Sequence, residues 1–276
     1  MNQKYSVLMS VYYKEYPANL KLAIQSMINQ TIPPDEFIIV KDGELTPELD
    51  QVIDKYIKEY PNLFTIIINS VNLGLGPSLR KGVIASKNEL IARMDSDDYS
   101  VPNRCEKQLT CFEMDKELGI VGTVESEFVG NIDNVVAIHS VPEYNEDIIK
   151  FMHKRCAVLH PTVIFKRSEV IKSGNYQEKS YYPLYEDYDL FARMIFDNKV
   201  KCYNMQESLY FVRISEDFYE RRGGLKYANT VIRFKWHMFK KGYMSMIDFI
   251  ISGFGQALVC ILPNKLRKAF YMNILR

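Results

Sequence analysis

The chain has 276 residues, 47% hydrophobic and 25% charged, a composition that supports a substantial core and argues against a disordered or collagen-like protein. Five cysteines (Cys105, Cys111, Cys156, Cys202 and Cys260), with no CxxC pair and no zinc-finger spacing to histidine, argue against a disulfide scaffold or structural zinc and predict a reduced, cytosolic chain. The net charge of +1 conceals opposed halves: residues 1–221 carry 25 basic and 33 acidic side chains, whereas residues 222–276 carry 10 and one (Asp248), so a basic tail with an expected anionic partner follows an acidic body.

The N-terminal stretch MNQKYSVLMSVYYKEY shows no separate charged, apolar and cleavable segment, so no secretion signal is predicted. Short β-rich runs then alternate with amphipathic helical stretches. The predicted strands are YSVLMSVYY (5–13), DEFIIVKDG (35–43), FTIIINS (64–70) and ELIARMD (89–95). The predicted helices PANLKLAIQSMINQ (17–30), PELDQVIDKYIKEY (47–60) and PSLRKGVIAS (77–86) each open on proline, which is favourable in a first helical turn. Apolar strands alternating with helices predict a mostly parallel α/β sheet covered on both faces.

In such sheets ligands bind beyond the carboxyl ends of the strands. The polar groups fall there: Tyr12 to Glu15 after the first strand, Asp42 after the second, Asn72 after the third and Asp95 to Asp98 after the fourth. Beyond Pro102 come a helix (NRCEKQLTCFEMD), GIVGTVESEFVG, a polar connection, the strand-like VLHPTVIFKR (158–167), the helix EDYDLFARMIFDN (186–198) and the strand-like CYNMQESLYFVRI (202–214). One domain over residues 1–220 is the simplest organisation, with residues 221–276 as a basic amphipathic helical extension.

Two aspartates one residue apart on a turn can share a divalent cation, and hard oxygen ligands suit Mg²⁺ or Mn²⁺. The DSDD segment also reads as a polar turn capping the next helix, and its place among the strand tips favours the ion. NLGLGPSLRKG (72–82) lacks the third glycine of a dinucleotide fingerprint, with Leu79 at that position, and no P-loop occurs. Its glycines fit a tight turn passing close to a ligand or another strand. Glu186, Asp187 and Asp189 stabilise a first helical turn, or one of them serves as a general base. His160 is expected to be a hydrogen-bonded structural residue.

Together SVLMSVYYKE, IVKDG, NLGLGPSLRKGV, IARMDSDD, P-N-R-x-E-K-Q, HPTVIFKR, EDYDLFARM and ERRGGLKY resemble family-2 glycosyltransferases of the GT-A fold, especially bacterial enzymes of capsule, exopolysaccharide and O-antigen synthesis, including the amylovoran type. The resemblance implies a nucleotide-sugar donor, usually UDP-linked, a divalent ion (Mn²⁺ or Mg²⁺) and inversion at the anomeric carbon. It implies a donor site of Val11, Tyr12, Glu15, Asp42, Arg93, Asp95 and Arg222, with Asp42 bonding the base. It further implies a metal held by Asp97 and Asp95, loop support from Asp98, and Asp187 as catalytic base with Glu186 beside it. Arg213-Ile214-Ser215 stands where many relatives carry R-x-H, so that strand is expected to lie outside the metal site. Arg221 and Arg222 resemble basic residues that close over the diphosphate.

In the tail, Met246, Ile250, Phe254, Ala257, Leu258 and Ile261 fall on one helical face flanked by Lys240, Lys241, Lys265, Arg267 and Lys268. The stretch is shorter than the roughly 20 residues of a membrane span, and an interfacial helix pair on the anionic inner leaflet of the bacterial cytoplasmic membrane explains both charge and apolar face. A hairpin packed on the catalytic domain and a dimer interface are the alternatives. The expected partners are a nucleotide sugar, a glycan on a polyprenyl carrier and that membrane surface, with no nucleic acid. Rival functions are a metal-dependent nucleotidyltransferase and a non-catalytic nucleotide-sugar-binding protein.

Overall fold

The computed structural model describes residues 3–179, 181–214, 222–264 and 266–267. β1 (Tyr5–Val11), β2 (Glu36–Asp42), β3 (Phe64–Asn69) and β4 (Leu90–Arg93) are linked by α1 (Pro17–Ile28), α2 (Pro47–Glu59) and α3 (Leu75–Ala85). Pro17 and Pro47 stand at the starts of their helices, and the Thr46 hydroxyl accepts from the Leu49 amide to cap α2. The third helix begins two residues before Pro77, from Gly74 at φ +92°, a backbone angle that side chains other than glycine rarely adopt.

The second half adds β5 (Tyr99–Ser100), α4 (Arg104–Met114), β6 (Leu118–Phe128), β7 (Val135–His139), α5 (Asn145–Met152), β8 (Ile164–Lys166), α6 (Arg167–Lys172), α7 (Glu186–Ala192) and β9 (Lys201–Arg213). The strands form one sheet in the order β3-β2-β1-β4-β8-β6-β9-β5, with β7 paired to β6. The predicted parallel character belongs to β3-β2-β1-β4 and to the β6/β9 pair, while β8, β5 and β7 run antiparallel to their neighbours. The sheet turns mixed where strand–helix–strand crossovers give way to other links, such as the tight hairpin between β6 and β7. VLHPTVIFKR is strand only over Ile164–Lys166, because His160–Thr162 turns as a 3₁₀ segment around Pro161.

Alternating strand residues feed two cores, as the two-residue period requires. Tyr5, Val7 and Met9 of β1 and Phe37 and Ile39 of β2 pack against α1, α2 and α4. Leu8, Ile38 and Val40 face α3, α7 and the C-terminal helices. The chain order reverses on either side of β1, between β2 and β4, so the tips of β1, β2 and β4 meet at one edge.

The tail folds as a long helix (Gly224–Lys240) followed by a terminal helix built from Met246–Asp248, a π segment over Phe249–Phe254, and Gly255–Ile261. Tyr227, Val231, Phe234 and Met238 share a core with α3 and α7, and Phe234 stacks on Tyr185 with ring centroids 4.4 Å apart. The residue just before Glu186 is therefore fixed by the tail. Phe234→Ala is expected to cost about 3–5 kcal/mol, the scale of a buried phenylalanine deletion, measured by urea denaturation followed through tyrosine fluorescence.

Candidate active site

The apolar β4 delivers the chain directly into the DSDD turn, where the carboxylate oxygens of Asp95, Asp97 and Asp98 lie within 4.8 Å of one another. Two unit charges at that spacing repel by roughly 3 kcal/mol at an effective dielectric of about 20. The cost shows in proton affinity. Burial, then Asp95 and Glu15, push the Asp97 carboxyl up to about 7. Burial, then Asp97 and Asp95, hold the Asp98 carboxyl well above the ordinary range.

Long-range partners hold the turn in place. Arg93 pairs with Asp95, and the Tyr210 hydroxyl accepts from the Asp95 amide at 3.0 Å. The Arg213 amide donates to Asp98 Oδ1 at 2.8 Å, and Arg213 Nε donates to the Asp97 carbonyl at 2.9 Å. Beneath them the buried Arg104 donates to the Arg93 carbonyl at 3.0 Å and lies over the Tyr210 ring at 5.2 Å. The end of β9, expected outside the metal site, therefore clamps the aspartate turn without offering it a carboxylate, because β9 pairs with β5 immediately after DSDD. Ser215 and Arg221 lie outside the described residues.

Glu15 joins the tip of β1 to this turn by accepting from the Ser96 hydroxyl at 2.7 Å. Val11 is buried at the end of β1, and Tyr12 next to it is exposed. Asp42 accepts from the Leu73 amide at 2.7 Å, the Gly74 amide at 2.9 Å and Asn69 Nδ2 at 3.0 Å. Those bonds take three of the roughly four acceptor positions of a carboxylate, so Asp42 first of all shapes the β3–α3 turn. The second glycine of NLGLG has a steric role: a Cβ at Gly76 would stand 3.1 Å from Glu186 Cβ.

Glu186 and Asp187 open α7 across the cleft. Burial, then Asp187, push the Glu186 carboxyl up to about 7, and Glu186 Oε2 is buried with no hydrogen-bond partner among the described residues. Burial also raises Asp187, opposed by the Tyr188 amide donating to Oδ1 at 2.7 Å and by the charges of Arg93 and Arg222. Asp189 belongs to the scaffold, paired with Arg193 at 2.9 Å. His160 is structural as expected: burial, then Arg93, hold it neutral, and its Nε2 shares a 2.7 Å hydrogen bond with the Tyr176 hydroxyl.

The two acidic groups converge on Arg93, whose charge acts on Asp97, Asp98, Glu186 and Asp187 as well as on its partner Asp95. Tyr176 likewise feels Asp187, Glu186 and Asp95 together. Arg93 itself is 2% exposed and sits behind Asp95. Its guanidinium therefore lies beneath the turn, in contact with Asp95. The crowded oxygen set, with Asp98 Oδ2 buried and unpartnered among the described residues, fits a hard divalent cation.

Comparison with known proteins shows the family. The family model for glycosyl transferase family 2 matches residues 6–172. The chain is 35% identical to the UDP-Gal:alpha-D-GlcNAc-diphosphoundecaprenol beta-1,3-galactosyltransferase of Escherichia coli, over 99% of this chain and 97% of that one. It is 31% identical to the amylovoran biosynthesis glycosyltransferase AmsE of Erwinia amylovora, over 83% of each chain. Among solved structures, S. aureus TarS 1–349 in complex with UDP-GlcNAc superposes with a TM-score of 0.63 at 15% identity, covering 99% of this chain and 76% of that one. The mannosyltransferase PcManGT of Pyrobaculum calidifontis, in complex with GDP-Man and Mn²⁺, superposes with a TM-score of 0.57 at 12% identity, covering 98% of this chain and 70% of that one. An α/β sheet with these relatives, and acidic groups at its switch point, makes the chain a member of glycosyltransferase family 2.

Proposed function

We propose that this enzyme transfers a sugar, with inversion, from a UDP-sugar to a hydroxyl of a glycan carried on polyprenyl diphosphate, in bacterial surface polysaccharide synthesis. The observation that carries the reading is that the DSDD turn and the Glu186–Asp187 pair share the charge of Arg93 and act together on Tyr176. The relative that acts on diphosphoundecaprenol-linked GlcNAc supports the acceptor class, and the UDP-GlcNAc complex of the TarS fold supports the donor class.

Asp95 and Asp97 would hold Mn²⁺ or Mg²⁺, which when bound supplies Lewis-acid stabilisation to the departing diphosphate. Val11, Tyr12 and Glu15 line the nucleoside side, and Asp42 keeps the turn at Leu73 and Gly74 in place beside it. Asp187 takes the proton of the acceptor hydroxyl as it attacks. Arg93 and Arg222 favour its ionised form, and Glu186 beside it keeps a proton more readily. Arg222 thereby serves the base side of the donor cleft.

The tail supplies the route to a lipid-linked acceptor. No helix among the described residues is long and apolar enough to cross a membrane. The terminal helix nevertheless presents Ile247, Ile250, Ile251, Phe254 and Leu258 to solvent. Ala257, expected on that face, turns inward with Phe249 and Cys260, because the π segment adds residues to its turn and shifts the stripe. Trp236, partly exposed, lies 5.2 Å from Phe239 and under Lys240 at 5.5 Å, an amphipathic pairing suited to an anionic lipid surface. Lys235 and Arg267 are buried and bonded to carbonyls, so they are unavailable to lipid. We place the chain peripherally on the inner face of the cytoplasmic membrane.

Asp97→Ala and EDTA are each expected to abolish UDP release. Asp187→Asn should lower turnover by about 10²–10⁴-fold, the usual worth of a general base, while UDP binding by calorimetry persists. Turnover near the parent rate would remove Asp187 from the base position. Ile250→Asp with Phe254→Asp should weaken flotation with anionic vesicles by at least about tenfold, given the apolar area withdrawn, without loss of UDP binding.

Glu186 binds its proton more tightly in the folded chain, about 7 against 4.5, so it costs stability as pH rises through that window. In EDTA the melting temperature should therefore fall less for Glu186→Gln than for the parent between about pH 5 and about pH 8. Equal falls would show that Glu186 is not the strained carboxyl.

A further inference from the structure

Arg93 is an unusual scaffold residue. Nη2 pairs with Asp95, while Nε and Nη1 are buried and, among the described residues, have no hydrogen-bond partner. Leaving buried donors of a charged group unpaired is costly. Arg213, which holds the same turn, spends Nε and Nη1 on the carbonyls of Asp97 and Gly130. Arg93 instead keeps open donors beside Asp95, and its charge also acts on Asp97, Asp98, Glu186 and Asp187. Its position is that of an internal cation among carboxylates that a divalent ion would also seek.

We propose that Arg93 is a resident counter-cation that competes with the divalent ion for Asp95. Paired to Asp95 before loading, it gives up that carboxylate as the ion arrives and turns its open nitrogens toward Glu186 and Asp187. The inference rests on the reading of the DSDD turn as the ion site. Competition carries a sign that a purely structural role does not. If Arg93 merely fixed the Asp95 rotamer, deleting it would loosen a ligand and weaken ion binding. If it competes, deleting it spares the ion the displacement of a paired guanidinium and tightens binding.

The test is titration of the full chain with Mn²⁺ alone, counting free ion by electron paramagnetic resonance. The parent should bind one ion, Asp97→Ala should not, and Arg93→Met should bind about tenfold more tightly, on the scale of ordinary coupling free energies. Parent binding with Arg93→Met unchanged or weaker overturns the exchange alone. Absence of parent binding overturns the exchange together with the ion site. Should Arg93→Met fail to fold, the parent suffices: with ¹⁵N-arginine labelling, the Nε–H resonance missing from Arg93→Lys should move on Mg²⁺ addition and saturate with ion binding. A resonance that stays in place while Mg²⁺ binds overturns the proposal.

Discussion

The crowding of carboxylates in the DSDD turn is the constraint on which the rest of the site depends. Three carboxylates within 4.8 Å of one another would splay apart in water, and beside a buried strand they have little water to screen them. The fold answers with charge and with backbone bonds. Arg93 neutralises one carboxylate, Arg213 bonds the turn through its amide and its side chain, and Tyr210 takes the Asp95 amide. Arg104 then fixes the backbone of Arg93 and the ring of Tyr210 at once. Four residues from three separate elements are committed to one four-residue turn. On the proposed reading, a turn held this way presents its oxygens to an incoming ion without rearranging the backbone.

The same economy joins the two sides of the cleft. Asp42 organises the turn after β3, and that turn carries Gly76 to within van der Waals reach of Glu186. The long C-terminal helix closes the other flank by stacking Phe234 on Tyr185, next in sequence to Glu186. The proton affinity of Glu186 thus depends on elements more than a hundred residues apart, since burial is its largest cause. The tail therefore helps to bury the Glu186 end of α7.

Much of this was legible in the sequence, and the boundary of legibility is physical. The first four strands, their helices and the gathering of polar tips follow from local periodicity and from the rule that ligands sit at the carboxyl ends. Local pattern also marked Glu186 and Asp187, which open α7 where the sequence placed them. Arg104, Tyr210 and Arg213 were not legible as site residues, because each reaches the aspartate turn through strand pairing or packing decided far along the chain. Arg104 stood inside a recognised motif, P-N-R, but nothing local says that its guanidinium meets the Arg93 carbonyl. The burial of Arg93 was hidden for a related reason: strand alternation gives a face, whereas depth depends on what covers it. The π segment of the terminal helix was invisible too, so Ala257 was assigned to the wrong side.

The charge balance of the cleft constrains how it can be filled. Asp95, Asp97, Asp98, Glu186 and Asp187 all feel the charge of the buried Arg93, Glu15 adds its charge against Asp97, and Arg222 acts on Asp187. A nucleotide diphosphate approaching that set meets like charge. Four of the acids already relieve the crowding by raised proton affinity, Asp97 and Glu186 each reaching about 7 and Asp98 and Asp187 raised beside them. Protons lessen the repulsion but offer the phosphates no ligand. On the proposed reading, the donor must therefore arrive with its cation or after it, and the surplus of carboxylates becomes a filter. An anionic ligand without a divalent ion is repelled, whereas the ion–donor complex is drawn in.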